Sequence, residues 1–301
     1  MSLPFSYKIN RDFAHIKLAV IFHVFYPEML DEFNRYFLNI PFNFDLYITT
    51  DTQEKRLLIE RHFLNWHKGI VEVRIAPNRG RDIAPKLITC RDVYDRYGYV
   101  LHIHTKKTPQ SQELGGLWRN HLLESLLGSE AIVRSVFEAF ELNPNLGILA
   151  PQHFYRSRKY INWAGNFNLA EKIGRRLGIN IKESNAIDFP SGSMFWAKTN
   201  ALKPLLDIDF SFDEFAEEAG QQDGTLAHAI ERMYFFSCEK AGFCWAKIVS
   251  SSLIYRDYYK AMTISSPDGY HHYMVSHNEY LKKHVLPSNI TKTSVFMQID
   301  S

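Results

Sequence analysis

Cysteine is scarce in this chain. There are three among 301 residues, Cys90, Cys238 and Cys244, with no CxxC pair. An odd, scattered count argues against a disulfide framework and makes a reducing, cytoplasmic setting the expectation. Long apolar runs are also missing. The longest near the start, Leu18 to Phe22, falls far short of the roughly 20 residues a membrane span needs. The opening MSLPFSYKINRDF has no apolar core of the kind a signal peptide carries. Charge of one sign is lacking too: 35 Lys+Arg against 33 Asp+Glu leave a formal net charge of +2, which implies no broad field for nucleic acid. No GxxxxGK[ST], GxGxxG or HExxH is present, so a P-loop, a dinucleotide fingerprint and a helical zinc site all lack their signatures. No domain linker, internal repeat or low-complexity tract is visible.

What is present is a regular alternation. KLAVIFHVF (17–25) reads as a buried strand, and YPEMLDEFNRYFLNI (26–40) carries Met29, Leu30, Phe33 and Phe37 at helical spacing, with Pro27 in the first turn. FDLYITT (44–50) is a second strand. DTQEKRLLIERHFLNW (51–66) is a second helix, with Asp51 or Thr52 as N-cap. IVEVRIA (70–76) is a third strand, 80–98 is predicted helical from about Ile83, and YVLHIHT (99–105) is a fourth strand. Strands alternating with amphipathic helices imply βαβ units and a mostly parallel central sheet with flanking helices, an α/β fold. Beyond residue 110 the pattern is looser: one or two helices in 117–142, a strand at 146–151, a turn and strand at 189–198, and a helix in 221–242 starting near Asp223. After about Ile254 the chain is rich in Tyr, His and Ser without clear periodicity.

In a parallel sheet, ligands sit beyond the carboxyl ends of the strands. Four segments then share one rim: His23 to Tyr26, Thr49 to Thr52, Pro77 to Asp82, and His104 to Lys107. In 77-PNRGRDIAP-85, Gly80 permits a tight turn and the following helix start exposes N–H groups. Arg79 and Arg81 add forked donors suited to phosphate; the plainer alternative is that Arg81 and Asp82 pair and cap the helix. In 99-YVLHIHTKKTPQS-111, alternation sets His102 and His104 on one face of the strand. They could share a metal ion or be hydrogen-bonded core residues, and two ligands are too few to define a zinc site. Lys106 and Lys107 follow the strand end, and two basic clusters on one rim suggest a diphosphate.

These words in this order, NRGRDIAP and then HIHTKK, resemble the rhamnan synthesis F family of bacterial polysaccharide glycosyltransferases. AVIFHVFYPEML, FDLYITT, GGLWRNHLLESLLGS, NWAGN, FPSGSMFWAK and QQDGTLAHAIERM extend the resemblance from about residue 17 to about 250. It implies a GT-A-like glycosyltransferase domain over 1–255. Its Rossmann-like nucleotide-sugar-binding half would cover about 17–110 and its acceptor and catalytic half about 111–255; 256–301 would form a C-terminal extension. The implied partners are a nucleotide-sugar donor, dTDP-rhamnose first, and a lipid-linked glycan acceptor in O-antigen, lipopolysaccharide or rhamnan assembly. Peripheral contact with the inner membrane or with other assembly enzymes would follow, and nucleic acid would not.

The resemblance also assigns roles. Many GT-A enzymes hold a divalent cation on a DxD at the end of the fourth strand, where this chain has 102-HIHTKK-107. Hard cations prefer oxygen ligands, so a divalent metal is disfavoured and no cofactor is expected. Lys106, Lys107 and Arg81 would neutralise the leaving diphosphate, with His104 as a hydrogen-bond donor. Asn78, Arg79, Gly80, Asp82, His102, Thr105 and Asp51 complete the expected donor set. An inverting transfer needs a general base; Asp223 is the expected one, with Glu217 and Glu218 as alternatives and an N-cap role for Asp223 as the plainer reading. Gly192, Ser193, Trp196, Trp118, Arg119 and Asn166 are expected at the sugar or acceptor. A non-catalytic sugar-nucleotide-binding component of an assembly complex is the alternative function, and a metal-dependent hydrolase using His102 and His104 a weaker one.

Overall fold

A computed structural model describes residues 1–105, 112–184, 186–221, 223–254 and 259–284. The strands are β1 (Ser2–Leu3), β2 (Leu18–His23), β3 (Asp45–Thr50), β4 (Val71–Ile75), β5 (Tyr99–His104), β6 (Leu146–Pro151), β7 (Phe195–Lys198) and β8 (Cys244–Ser250). They form one eight-stranded sheet in the order β1-β8-β6-β7-β5-β2-β3-β4. All neighbours are parallel except β7, which runs antiparallel to both β5 and β6. The α/β class with a mostly parallel sheet therefore holds, as a mixed sheet.

The helices are α1 (Leu30–Phe37), α2 (Gln53–His62), α3 (Gln112–Leu127), α4 (Glu130–Leu142), α5 (Phe167–Arg176), α6 (Thr199–Leu206), α7 (Leu226–Lys240), α8 (Ser251–Ile254) and α9 (Pro267–His284). Strand alternation sorts the core into two layers. Val20, Phe22, Ile48 and Trp196 face one way, packed with Phe33, Phe37, Phe137 and Leu123. Ala19, Ile21, Tyr47 and Phe195 face the other, packed with Leu87, Leu202, Met233 and Tyr234. Helices thus cover both faces of the sheet.

Most elements follow the sequence reading. Pro27 opens a 3-10 turn that leads into α1. Thr52 caps α2, its side chain accepting from the Lys55 N–H at 3.2 Å. The 117–142 stretch is two helices, because Gly128 and the N-cap Ser129 interrupt it.

Three features differ. The stretch after Ile83 is not a regular helix: Pro85, which has no N–H to donate, opens a widened turn (Pro85–Thr89) closed by Cys90 N–H on Pro85 O at 3.2 Å. Next, α7 starts at Leu226 with Thr225 as N-cap, so Asp223 lies ahead of the helix. Finally, β1 and β8 were not visible as strands, and α9 emerges from the stretch without clear periodicity. Tyr270 and Met274 of α9 join the core, and the Tyr270 hydroxyl donates to Ala139 O at 2.9 Å.

Candidate functional site

The chain runs β2, β3, β4 outward in one direction and then returns to place β5 on the other side of β2. The order reverses between β2 and β5, and a crevice at such a switch point, beyond the carboxyl ends, is where an open α/β sheet binds ligands. The register pairs His23 of β2 with His104 of β5 at that point. The antiparallel β7 enters the sheet from the same rim, with Phe195 opposite His102. That direction brings the 189–193 turn to the switch point.

Asp82 is the hub of the rim. Its Oδ2 accepts from Lys86 Nζ at 2.8 Å, and its Oδ1 lies 3.8 Å from His104 Nε2. Both Asp82 and Lys86 are buried, Lys86 fully. Burial alone would raise the Asp82 carboxyl, but the charges of His104 and Lys86 hold it below the ordinary carboxylate range. Burial lowers Lys86, with Asp82 acting against it. Burial likewise lowers His23 to about 3, so it is neutral, and its Nδ1 sits 2.9 Å from Thr49 Oγ1.

The hub is tied to the turn. Lys86 Nζ also donates to Ser193 O at 3.0 Å. His104 Nε2 lies 2.8 Å from Gly192 O and its Nδ1 3.3 Å from Thr105 O. Both acceptors are carbonyls, so a doubly protonated ring would satisfy both. Glu231 of α7 completes the hold: its Oε1 accepts from Gly192 N at 2.7 Å and lies 3.4 Å from Ser193 Oγ. The turn it holds is strained. Gly192 has φ 91° and Ser193 φ 54°, and the arginine loop repeats the pattern with Gly80 at 68° and Arg81 at 56°. A non-glycine residue in this region costs on the order of 1 kcal/mol or more, and such positions cluster at functional sites.

A second trio grips the other side of the same turn. Lys247 Nζ donates to Asp188 Oδ1 at 2.9 Å and to Phe189 O at 2.8 Å. His153 bridges Asp188 Oδ1 at 2.9 Å and Ser191 Oγ at 2.8 Å. Burial would raise Asp188, but Lys247 and His153 bring it to about 2.

The arginines expected at a phosphate carry protein partners. Arg79 pairs with Glu217 at 2.7 Å, and Arg81 approaches Glu218 at 3.6 Å and donates to Gln221 O. Their loop is thereby pinned to the segment before α7. Asp223, exposed, accepts from Asn166 Nδ2 at 2.7 Å and lies 3.5 Å from Arg232. Asn166 Oδ1 in turn accepts from Gly224 N at 3.1 Å. Burial, with Arg81 next, lowers His228 of α7 to about 4; Asp223 and Asp82 oppose that shift, which puts all four groups in one electrostatic neighbourhood.

The structure thus gathers Arg79, Gly80, Arg81, Asp82, His104, Gly192, Ser193, Asn166 and Asp223 along one rim, with exposed Asn78 at its edge. Trp118 lies beside Gly192: a Cβ added there would sit 3.6 Å from its ring. Other expected residues have protein contacts of their own. Trp196 is fully buried in the opposite core layer, its indole N–H on Leu126 O at 3.2 Å, so it offers no face for stacking. His102 is a core residue bonded to the Tyr94 hydroxyl at 2.7 Å. Thr105 Oγ1 accepts from the Phe25 and Tyr26 N–H groups at 3.0 and 3.1 Å. Asp51 pairs with Lys55 at 2.7 Å, and Arg119 with Glu32 at 3.0 Å. Asp82 braces Lys86 rather than Arg81. Lys106 and Lys107 lie outside the described residues.

Sequence reading missed Lys86, Glu231, His228, His153, Asp188 and Lys247. The i,i+4 spacing of Asp82 and Lys86 in RDIAPK was the available signal for the first. No group of three or more His, Cys, Asp or Glu among the described residues is arranged to hold a metal ion. Asp82, already matched by Lys86 and flanked by imidazoles, is a poor ligand for a hard cation.

A mixed, mostly parallel sheet with a charged rim at its switch point defines the class, an α/β protein whose site candidates lie beyond the strand ends. Residues 5–243 match the family described as rhamnan synthesis protein F, and the chain belongs to that family. The family takes its description from the synthesis of rhamnan, a polysaccharide. Protein WxcX of Xanthomonas campestris pv. campestris strain B100 is 36% identical over 227 residues, 74% of this chain and 32% of the relative. Protein WxcX of strain ATCC 33913 gives the same figures. The match spans about a third of the length of these relatives.

Proposed function

We propose that this chain is a GT-A-like glycosyltransferase. It moves a sugar, rhamnose first among candidates, from a nucleoside diphosphate to a lipid-linked glycan during bacterial cell-surface polysaccharide synthesis at the cytoplasmic face of the membrane. The observation that carries the reading is the cluster of Asp82, Lys86 and His104 at the end of β5, where the strand order reverses, with Arg81 next to Asp82 in the chain, within a member of a rhamnan synthesis family.

The chemistry follows from charge. Breaking the glycosidic bond leaves a diphosphate that fixed cations can neutralise. Arg81, Lys106 and Lys107 take that role, with Arg81 exchanging its contact to Glu218 for phosphate oxygens. Asp223 takes the proton of the acceptor hydroxyl, oriented by Asn166 at 2.7 Å. Gly192 and Ser193 present the turn to the sugar, and Trp118 flanks it. A second reading, a sugar-nucleotide-binding component without turnover, is favoured by the carboxylate partners that Arg79 and Arg81 carry.

Transfer from dTDP-rhamnose to a lipid-linked acceptor, followed in the wild type and in Asp223→Asn, separates the two. Turnover lost by at least about a hundredfold in Asp223→Asn with donor binding kept supports the base. Turnover that survives removes Asp223 from that role, and binding without turnover in the wild type favours the second reading.

A further inference from the structure

The chain leaves β6 at Pro151 on this same rim and enters 152-QHFYRSRKYINWAGN-166, a stretch without a single Asp or Glu. Its middle is a short 3-10 helix, Tyr155–Tyr160. Arg156, Arg158 and Lys159 are exposed on it. Among the described residues, none of the three pairs with a carboxylate, although Arg79, Arg91, Arg134, Arg175, Arg176 and Lys203 on other surfaces all do.

Each cation instead lies over a tyrosine ring. Arg156 is 5.4 Å from the Tyr155 centroid, Arg158 4.9 Å from Tyr259, and Lys159 5.0 Å from Tyr160. A ring face attracts a cation without neutralising it. Tyr160 is itself 62% exposed. Tyrosine has an apolar body and a polar tip, and it concentrates at the level of lipid headgroups. Arg and Lys side chains with no carboxylate partner among the described residues, set beside it, are complementary to anionic headgroups. The near-neutral total charge, +2, and the shortness of the patch fit this better than a nucleic acid track.

We infer that the Tyr155–Tyr160 turn is a docking surface for an anionic phospholipid bilayer. Docked there, the chain holds the rim of the candidate site against the membrane surface. The inference stands apart from sugar transfer: it requires binding to lipid, not turnover.

Co-sedimentation with phosphatidylglycerol–phosphatidylcholine vesicles and with pure phosphatidylcholine vesicles tests it on the full chain. Wild type is expected to sediment with the anionic vesicles only. The Arg156→Ala/Arg158→Ala/Lys159→Ala variant should lose about two orders of magnitude in partitioning, roughly fivefold per cation. Tyr160→Ser should lower it further. The Arg134→Ala/Arg175→Ala/Lys203→Ala variant removes equal charge from ion-paired sites and should stay near wild type. Circular dichroism and nucleoside diphosphate titration check that each variant is folded. Failure of the wild type to bind anionic vesicles, or equal losses in the two triple variants, would overturn the docking surface. Insensitivity to Tyr160→Ser would overturn the bilayer as its partner in favour of a soluble polyanion.

Discussion

Two Asp–Lys–His trios hold the 189–193 turn from opposite sides, and they are built differently. In the first, Asp82 and Lys86 come from one turn of chain and His104 from the end of β5; Lys86 reaches Ser193 O and His104 reaches Gly192 O. In the second, Asp188, His153 and Lys247 come from three distant segments and reach Phe189 O and Ser191 Oγ. The first is almost sealed, with side-chain exposures of 0% for Lys86 and 10% for Asp82. The second is wetter, with 26% for Asp188. Two buried ion pairs directed at five residues indicate that the shape of this turn matters more than stability, since buried pairs are poor stabilisers against apolar replacements.

The largest expected effect comes from removing one lysine. Lys86→Met strands Asp82 in the interior and should cost about 3–5 kcal/mol in urea unfolding. Lys247→Met should cost less, because Asp188 keeps water and His153. A larger cost for Lys247→Met would reverse the comparison.

Acid sharpens it next. His23 beside the first trio, held to about 3 by burial, stays neutral while the unfolded chain takes up a proton near pH 6.5. Stability should therefore fall as pH drops from about 6.5 toward 3, by about 1 kcal/mol per unit for such a histidine. His121 and His228, both lowered to about 4 by burial, add to that loss. The Asp188 carboxyl has a depressed value, so its contribution is full above about pH 4 and fades as pH falls through about 2. Thermal melts from pH 7 to 4 should slope downward, and less steeply in His23→Gln; a flat profile would contradict the buried neutral histidines.

Smaller effects separate the two strained loops. A Cβ on Gly80, at φ 68°, would come within 2.5 Å of Ala84 Cβ and Phe215 Cδ1; one on Gly192, at φ 91°, would sit 2.9 Å from Leu122 Cδ1. Gly80→Ala should cost about 1–3 kcal/mol and Gly192→Ala somewhat less, since a leucine methyl can shift. Equal costs would mean that backbone conformation alone sets both.

The contrast also explains what could be read in advance. The first trio belongs to the regular half, where strand periodicity set the rim; Asp82 and His104 were read there, while Lys86 was missed although RDIAPK spaces it four residues from Asp82. Arg79, Arg81 and His104 were legible for the same reason. The second trio was not, because Asp188, His153 and Lys247 meet only through the reversal of β7 and the pairing of β8, neither of which leaves a local pattern. Trp196 was misplaced by the same gap: alternation sets it and Phe195 on opposite faces, but only the sheet order says that both faces are covered. Tyr94 took His102 into the core, a contact no spacing rule announces. Asp223 looked like a helix cap, and Thr225 took that position.

The most direct test of the account is calorimetric titration of the full chain with dTDP, UDP and GDP. At least one should bind, and Arg81→Ala should weaken it by roughly ten- to a hundredfold, the loss expected for a charge-assisted hydrogen bond. Absence of binding by all three to the folded wild-type chain would contradict the assignment of this rim as a nucleotide-sugar site.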